Sequence, residues 1–248
     1  MPTPIGLHLA LVLAIATFAV APQIDAEVSN QFYHAQGGFW LAALPAAKIV
    51  RELFRASGNL FGMAGGLLFA LSLLIGHGRK VPTRIWGFWF GTMALGPGIA
   101  VNLLLKPLWG RARPADTTIF GGTNAFTPAL LPTDQCHWGC SFVSGEAAAA
   151  VGVAIVLGVL LYPRLAKRGR IALGSGLCVY TIAVSGLRIA MGRHFLSDVI
   201  FGWLVAAYTG WALYRALGIR VAREELTCAG AISDARSLAG RLSWRRQQ

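Results

Sequence analysis

The chain runs to 248 residues, of which 55% are hydrophobic and only 13% charged, with a formal net charge of +12. A soluble domain carries about 25% charged residues, so this chain lacks the polar surface to dress a water-soluble globule, and its hydrophobicity excludes intrinsic disorder. The basic residues sit between apolar runs of membrane length, which points to an anionic membrane surface rather than to nucleic acid.

Six apolar stretches, at 7–22, 59–76, 85–105, 143–161, 171–187 and 199–214, approach the ~20 residues that cross ~30 Å of hydrocarbon. None contains Lys, Arg or Asp, and Glu146 is the sole acid among them. Lipid offers a bare backbone no hydrogen-bond partner, so each stretch is expected to be a helix. The fold class that follows is all-α, a polytopic membrane bundle with six transmembrane helices. The first stretch lacks a basic leading region, and Pro22 follows the small residues Ala19 and Ala21 where it would obstruct cleavage. A retained helix is favoured there over a signal peptide. Residues 30–56 mix aromatic and apolar side chains with three bases, and two readings stand open: a helix lying in the interface, or a packed extracytoplasmic linker. Residues 1–214 make one membrane domain, and 215–248 a basic tail that extends the last helix along the anionic cytoplasmic leaflet.

Orientation follows from where Lys and Arg fall. Fourteen of the 22 lie with the N-terminus, loops 77–84 and 162–170 and the tail, including Arg246; eight lie on the other side, with seven of the ten acids. Both termini are therefore expected in the cytoplasm, with 23–58, 106–140 and 188–197 outside. Cys136 and Cys140 fall on that outer side, where a disulfide persists. A short disulfide loop is preferred there over a metal site, for which His137 alone is too small a partner set.

Three groups of chemistry-bearing residues stand at span ends on the outer side. Lys106, Arg111 and Arg113 follow the third span; Ser144, Gly145 and Glu146 open the fourth; Arg188, Arg193, His194 and Asp198 follow the fifth. A helix N-terminus offers free N–H groups and a positive dipole end, which seat an anion. His194 and Asp198, four apart, share a face if that stretch is helical, and a carboxylate so placed orients an imidazole and stabilises its charged form. Cations, N–H donors and an oriented nucleophile are what phosphoryl transfer requires. Taken singly, each group has a plainer reading: Lys106, Arg111, Arg113 and Arg193 as interfacial anchors, Ser144 as a helix cap, His194 as a structural histidine.

The pattern Lys106-x6-Arg113-Pro114, then Ser144-Gly145, then Arg188-x5-His194-x3-Asp198 resembles the type 2 phosphatidic acid phosphatase superfamily in its integral-membrane branch. The resemblance implies a helical bundle and a phosphatase in which His194 attacks phosphorus and becomes a phosphohistidine while Asp198 holds its ring. It implies further that Lys106, Arg113, Arg188, Ser144 and the Gly145 amide cradle the phosphate, and that no metal or other cofactor takes part. The chain departs from the family at one position, where Glu146 stands in place of the histidine that protonates the leaving oxygen. Glu146 either takes over that role or pairs with Arg111 or Arg193. The stretch from Phe120 to Glu146, with Gly121, Gly122 and the cysteine pair, also resembles a bacterial subgroup that includes lipid A phosphatases of the 4′ type.

The expected activity is hydrolysis of a lipid phosphate at the periplasmic face of a bacterial inner membrane. Lipid A phosphate leads as substrate, ahead of undecaprenyl diphosphate and phosphatidylglycerophosphate. The expected partners are that substrate and membrane lipids. Segment 115–142 is long for a connection and is expected to wall the headgroup site. A non-catalytic anion transporter would use the same cations, but it has no need of a His–Asp pair and favours inverted repeats, which are not evident here.

Overall fold

The computed structural model describes residues 4–76 and 79–245. Its regular structure is almost entirely helical, and a small antiparallel hairpin, Tyr33–His34 (β1) with Gly38–Phe39 (β2), is the only sheet among the described residues. Pro4–Val20 (α1) leads, through a turn of 84°, into the short helix Ile24–Asn30 (α2). Five further helical paths are long and apolar enough to cross a membrane, and the bent α1–α2 pair makes a sixth if it is taken as one span. Arg246, counted in the basic tail, lies outside the described residues.

Pro45–Ile75 (α3) begins well before the apolar stretch that announces it. Pro45 stands in the first turn, where its missing N–H leaves nothing unsatisfied. The helix has 31 residues, so it is about 46 Å long and overhangs the hydrocarbon by about 16 Å. Residues 45–56 are thus neither an interfacial helix nor a linker. They are the first turns of the same helix that makes a candidate span, and they carry Lys48, Arg51 and Arg55. The rest of that segment folds back, with Phe39 of β2 packed among Phe120, Phe195 and Tyr33.

Thr83–Met93 (α4) passes directly into a wider π-helical stretch, Ala94–Leu105. Pro97 lies inside it; lacking an N–H, and with a ring that crowds the preceding turn, it cannot belong to a regular α-helical ladder. The Asn102 side-chain amide donates to the Pro97 carbonyl at 2.7 Å, within the same stretch. Gly145–Leu161 (α5) is the central helix, touching α3, α4, the π-helical stretch and the two helices that follow, Lys167–Ala190 (α6) and Leu196–Ala216 (α7). Its small buried residues Ala147, Ala148, Ala150 and Gly152 let those neighbours approach closely. A Cβ at position 152 would stand 2.9 Å from the Met93 sulfur.

The last span does not continue into the tail. The chain turns at Gly218, in the left-handed region, and Cys228–Arg245 (α8) docks back on the loop before α4. There the Asp234 carboxylate accepts from the Lys80 and Val81 amides at 2.6 and 2.9 Å. At the opposite end of the bundle α3, α5 and α7 start while the π-helical stretch and α6 finish, so five elements deliver side chains to one place.

Candidate active site

The first turn of α7 sets the geometry. Asp198 lies in that turn, and its Oδ2 accepts from the Phe195 amide at 2.7 Å, capping the helix. The same oxygen accepts from the Ser141 hydroxyl at 2.5 Å, while Oδ1 accepts from Arg111 at 2.7 Å. His194 Nδ1 lies 3.7 Å from Asp198 but 2.8 Å from the Ser141 carbonyl. A carbonyl only accepts, so Nδ1 carries the proton and donates it there, which leaves the Nε2 lone pair uncommitted. Asp198 thus fixes the ring through Ser141 and the helix turn, and its charge stands beside the imidazole rather than in a hydrogen bond to it. Burial pushes the His194 imidazole down to about 4, with Arg188 and Lys106 adding to the effect and Asp198 opposing it. The ring is neutral at pH 7.

Arg111 is fully buried. It donates to Asp25 of α2 at 2.9 Å, to Asp198, to the Ser197 hydroxyl at 2.9 Å and to the Thr127 carbonyl at 2.9 Å, with the Phe195 ring 4.2 Å from its guanidinium carbon. Asp25 in turn accepts from the amide and hydroxyl of Ser197 at 2.8 and 2.5 Å. With four of its five N–H donors committed, full burial and no place in the cavity lining, this guanidinium is neither an interfacial anchor nor available to a ligand.

His194 also lines a cavity of about 610 Å³, together with Lys106, Arg113, Gly145, Glu146, Arg188 and Arg51. Lys106 comes from the turn that closes the π-helical stretch, and Arg188 from the end of α6. The structure therefore gathers most of the residues singled out in the sequence around one void. Ser144 is not among them. It is buried, caps α5 through Ala147, and donates its amide to the Asp198 carbonyl at 2.9 Å. Gly145 follows where a side chain would not fit, since a Cβ there would meet the Asn102 amide oxygen at 2.9 Å.

Glu146 bridges two arginines, at 2.8 Å to Arg51 and 3.4 Å to Arg188. Its partners are thus neither Arg111, which is committed elsewhere, nor Arg193. Arg51, Asp25 and Asn102 carry no mark in a motif. A polar residue inside an apolar span signals function by default, and Asn102 carries that signal. Arg51 and Asp25 had only their charge to reveal them.

The long segment after Lys106 folds over this end and serves as scaffolding. Its carbonyls take the Trp109 indole (Ala129, 2.7 Å), Arg111 (Thr127) and Arg113 (Gly139, 2.9 Å). Gly139 lies within the loop that the bonded sulfurs of Cys136 and Cys140 close. Away from the charges, the cavity continues between α3, the π-helical stretch and α6 along Phe54, Gly62, Met93, Pro97 and Tyr180. A polar head and an apolar trough meet in one cleft, which suits an amphiphile with an anionic headgroup.

The family model described as PAP2 superfamily matches residues 86–221. Over 114 residues the chain is 43% identical to the lipid A 4′-phosphatase of Rhizobium leguminosarum, a match covering 46% of this chain and 47% of that protein. The lipid A 4′-phosphatase of Rhizobium etli is 42% identical over 114 residues, 46% of this chain and 42% of that protein. The chain thus spans about half the length of these two relatives. A third lipid A 4′-phosphatase, from Francisella tularensis subsp. novicida, is 28% identical over 217 residues, 84% of this chain and 94% of that protein. No solved structure matches.

Two expectations follow from the geometry. A His194 that titrates at about 4 stays unprotonated across the usual acid limb of imidazole chemistry, so turnover should persist from pH 7 down to about 5. An acid limb centred near 6.5 in the kcat/KM profile would contradict this placement. Replacing both Cys136 and Cys140 by Ser frees the Gly139 carbonyl from Arg113. The expected result is a KM raised roughly three- to tenfold with kcat nearly unchanged, in line with ~1 kcal/mol for one hydrogen bond. An unchanged KM would show that the loop does not position Arg113.

Proposed function

Because the chain belongs to the PAP2 superfamily, we propose that it is a membrane lipid phosphate phosphatase acting on a lipid A phosphate through a phosphohistidine at His194. It works at the periplasmic face of the inner membrane, with both termini in the cytoplasm and no metal in the chemistry. The observation that carries this reading is a neutral His194, with Nε2 uncommitted, in the same cavity as Lys106, Arg113, Arg188 and the start of α5.

The three cations and the Gly145 amide hold the phosphate oxygens and stabilise the charge that the transition state spreads over them. Nε2 attacks phosphorus as the bond to the lipid oxygen breaks. The ring becomes positively charged, and Asp198, 3.7 Å from Nδ1, meets that charge without moving. The leaving oxygen needs a proton. Glu146 supplies it by a relay: the phosphate takes over Arg188 and Arg51, and the released carboxylate accepts the proton of the substrate monoanion and passes it to the leaving oxygen. Water then attacks the phosphohistidine, giving up a proton to Glu146; His194 departs neutral, and Glu146 passes that proton to the departing inorganic phosphate as it pairs again with Arg51 and Arg188. Ser144 supports the seat as the cap of α5 and as a link to Asp198.

The test is incubation of the purified protein with a panel of lipid phosphates, read by mass spectrometry for loss of phosphate. Lipid A should lose one phosphate, and His194→Ala should abolish the loss while leaving the melting temperature intact. Glu146→Gln should slow the lipid ester by about 10²–10⁴, as for a lost general acid, and an activated aryl phosphate far less. Turnover in His194→Ala would remove the nucleophile. Equal slowing of both substrates would make Glu146 structural.

A further inference from the structure

A second cavity, of about 330 Å³, adjoins the first and is lined by Lys48, Arg51, Arg188 and Arg193, with Glu52 as its carboxylate. Arg51 and Arg188 belong to both cavities and form the wall between them. Their negative partners do not balance this cluster. Glu146 serves Arg51 and Arg188 from the catalytic side, and Glu52 is shared between Arg51 and Arg55. Neither Lys48 nor Arg193 makes a side-chain hydrogen bond or ion pair among the described residues. The backbone places both at the cavity, with Lys48 exposed to solvent and Arg193 half-buried. Lys48 stands one turn before Arg51 in the first turns of α3, about 4.5 Å away along the helix axis. Arg193 is held by the tight turn at Gly192, with its amide donating to the Arg188 carbonyl at 3.0 Å.

The Arg188 side chain is 5% exposed, and its Nε meets the Glu146 carboxylate only in an ion pair of 3.4 Å that falls short of a hydrogen bond. Bringing like charges together around such a group is unfavourable unless anions arrive to offset it. The phosphate seated at His194 meets Lys106, Arg113 and one side of the wall. It leaves Lys48 and Arg193, on the far side, without a counter-ion.

We infer that the second cavity is an anion subsite that takes a second phosphate carried by the same lipid headgroup as the scissile one. The subsite rests on the phosphatase reading for the identity of the first phosphate, and it gives the protein a preference for headgroups with two separated anionic groups. Lys48 and Arg193 are the residues that confer the preference, while Arg51 and Arg188 lie between the two phosphates and address both.

The experiment measures binding, so that it does not depend on turnover. His194→Ala protein in uncharged detergent is titrated calorimetrically with a glycolipid bearing two phosphate monoesters and with its singly phosphorylated counterpart. The doubly phosphorylated lipid should bind at least about tenfold more tightly. Adding Lys48→Ala and Arg193→Ala should erase most of that difference while leaving the singly phosphorylated lipid within about twofold of its former affinity. Equal weakening for both lipids, or no weakening for either, overturns the subsite. Restoration of tight binding by free phosphate, or by phosphatidylglycerol added to the singly phosphorylated lipid, also overturns it, because the second anion would then belong to another molecule. Single Lys48→Gln and Arg193→Gln variants, each checked by thermal melting, provide the same comparison if the double variant fails to fold. Failure of the phosphatase reading shows separately, as wild-type protein that releases phosphate from neither lipid.

Discussion

One buried guanidinium organises the end of the bundle where the chemistry is proposed. Arg111 lies between Asp25 and Asp198, fully removed from solvent. Burying such charges costs several kcal/mol apiece, and only dense hydrogen bonding offsets that cost. The arrangement meets the requirement, since Ser197, Thr127 and the two carboxylates together occupy the guanidinium. The consequence is rigidity rather than surplus stability. Loss of one partner would leave an uncompensated charge, at about 3–5 kcal/mol, so α2, the long loop and the start of α7 are held to a single relative position.

That position determines what His194 can do. Asp198, locked by Arg111, Ser141 and the Phe195 amide, fixes the turn that carries the histidine and the Ser141 carbonyl that takes its Nδ1 proton. The charges around the cavity then divide by role. Arg111 and Asp25 hold the frame, while Lys106, Arg113, Arg188 and Arg51 face the void. The cavity continues from them along apolar residues of α3, such as Phe54 and Met63, which on the proposed function is the path for the lipid part of the substrate.

The sequence yields what depends on position along a span. Hydropathy marks the span ends, and the alternation of sides brings Lys106, Gly145, Arg188 and His194 to one face; these are the residues found together around the cavity. Contacts between elements distant in the chain are invisible to that reasoning. Asp25 meets Ser197 across 172 residues, and Glu146 meets Arg51 across 95, so neither spacing nor period could pair them. Arg111 and Arg113 are two apart and equally basic, yet one is buried in the frame and the other lines the site. The overhang of α3 is missed for a simpler reason: a hydropathy reading ends a span at the first charge, whereas the backbone ladder runs on through Arg55, Arg51 and Lys48.

The most direct test of this account is Asp25→Asn, a change in α2 at a residue that does not line the cavity. Removing one carboxylate from the Arg111 frame should lower kcat at least about tenfold by loosening the His194 turn, with KM changed little and the acid limb of the pH profile shifted. The variant should still bind the lipid in the micelle. An Asp25→Asn protein with wild-type kcat and an unchanged pH profile would contradict the claim that this buried network holds the nucleophile in place.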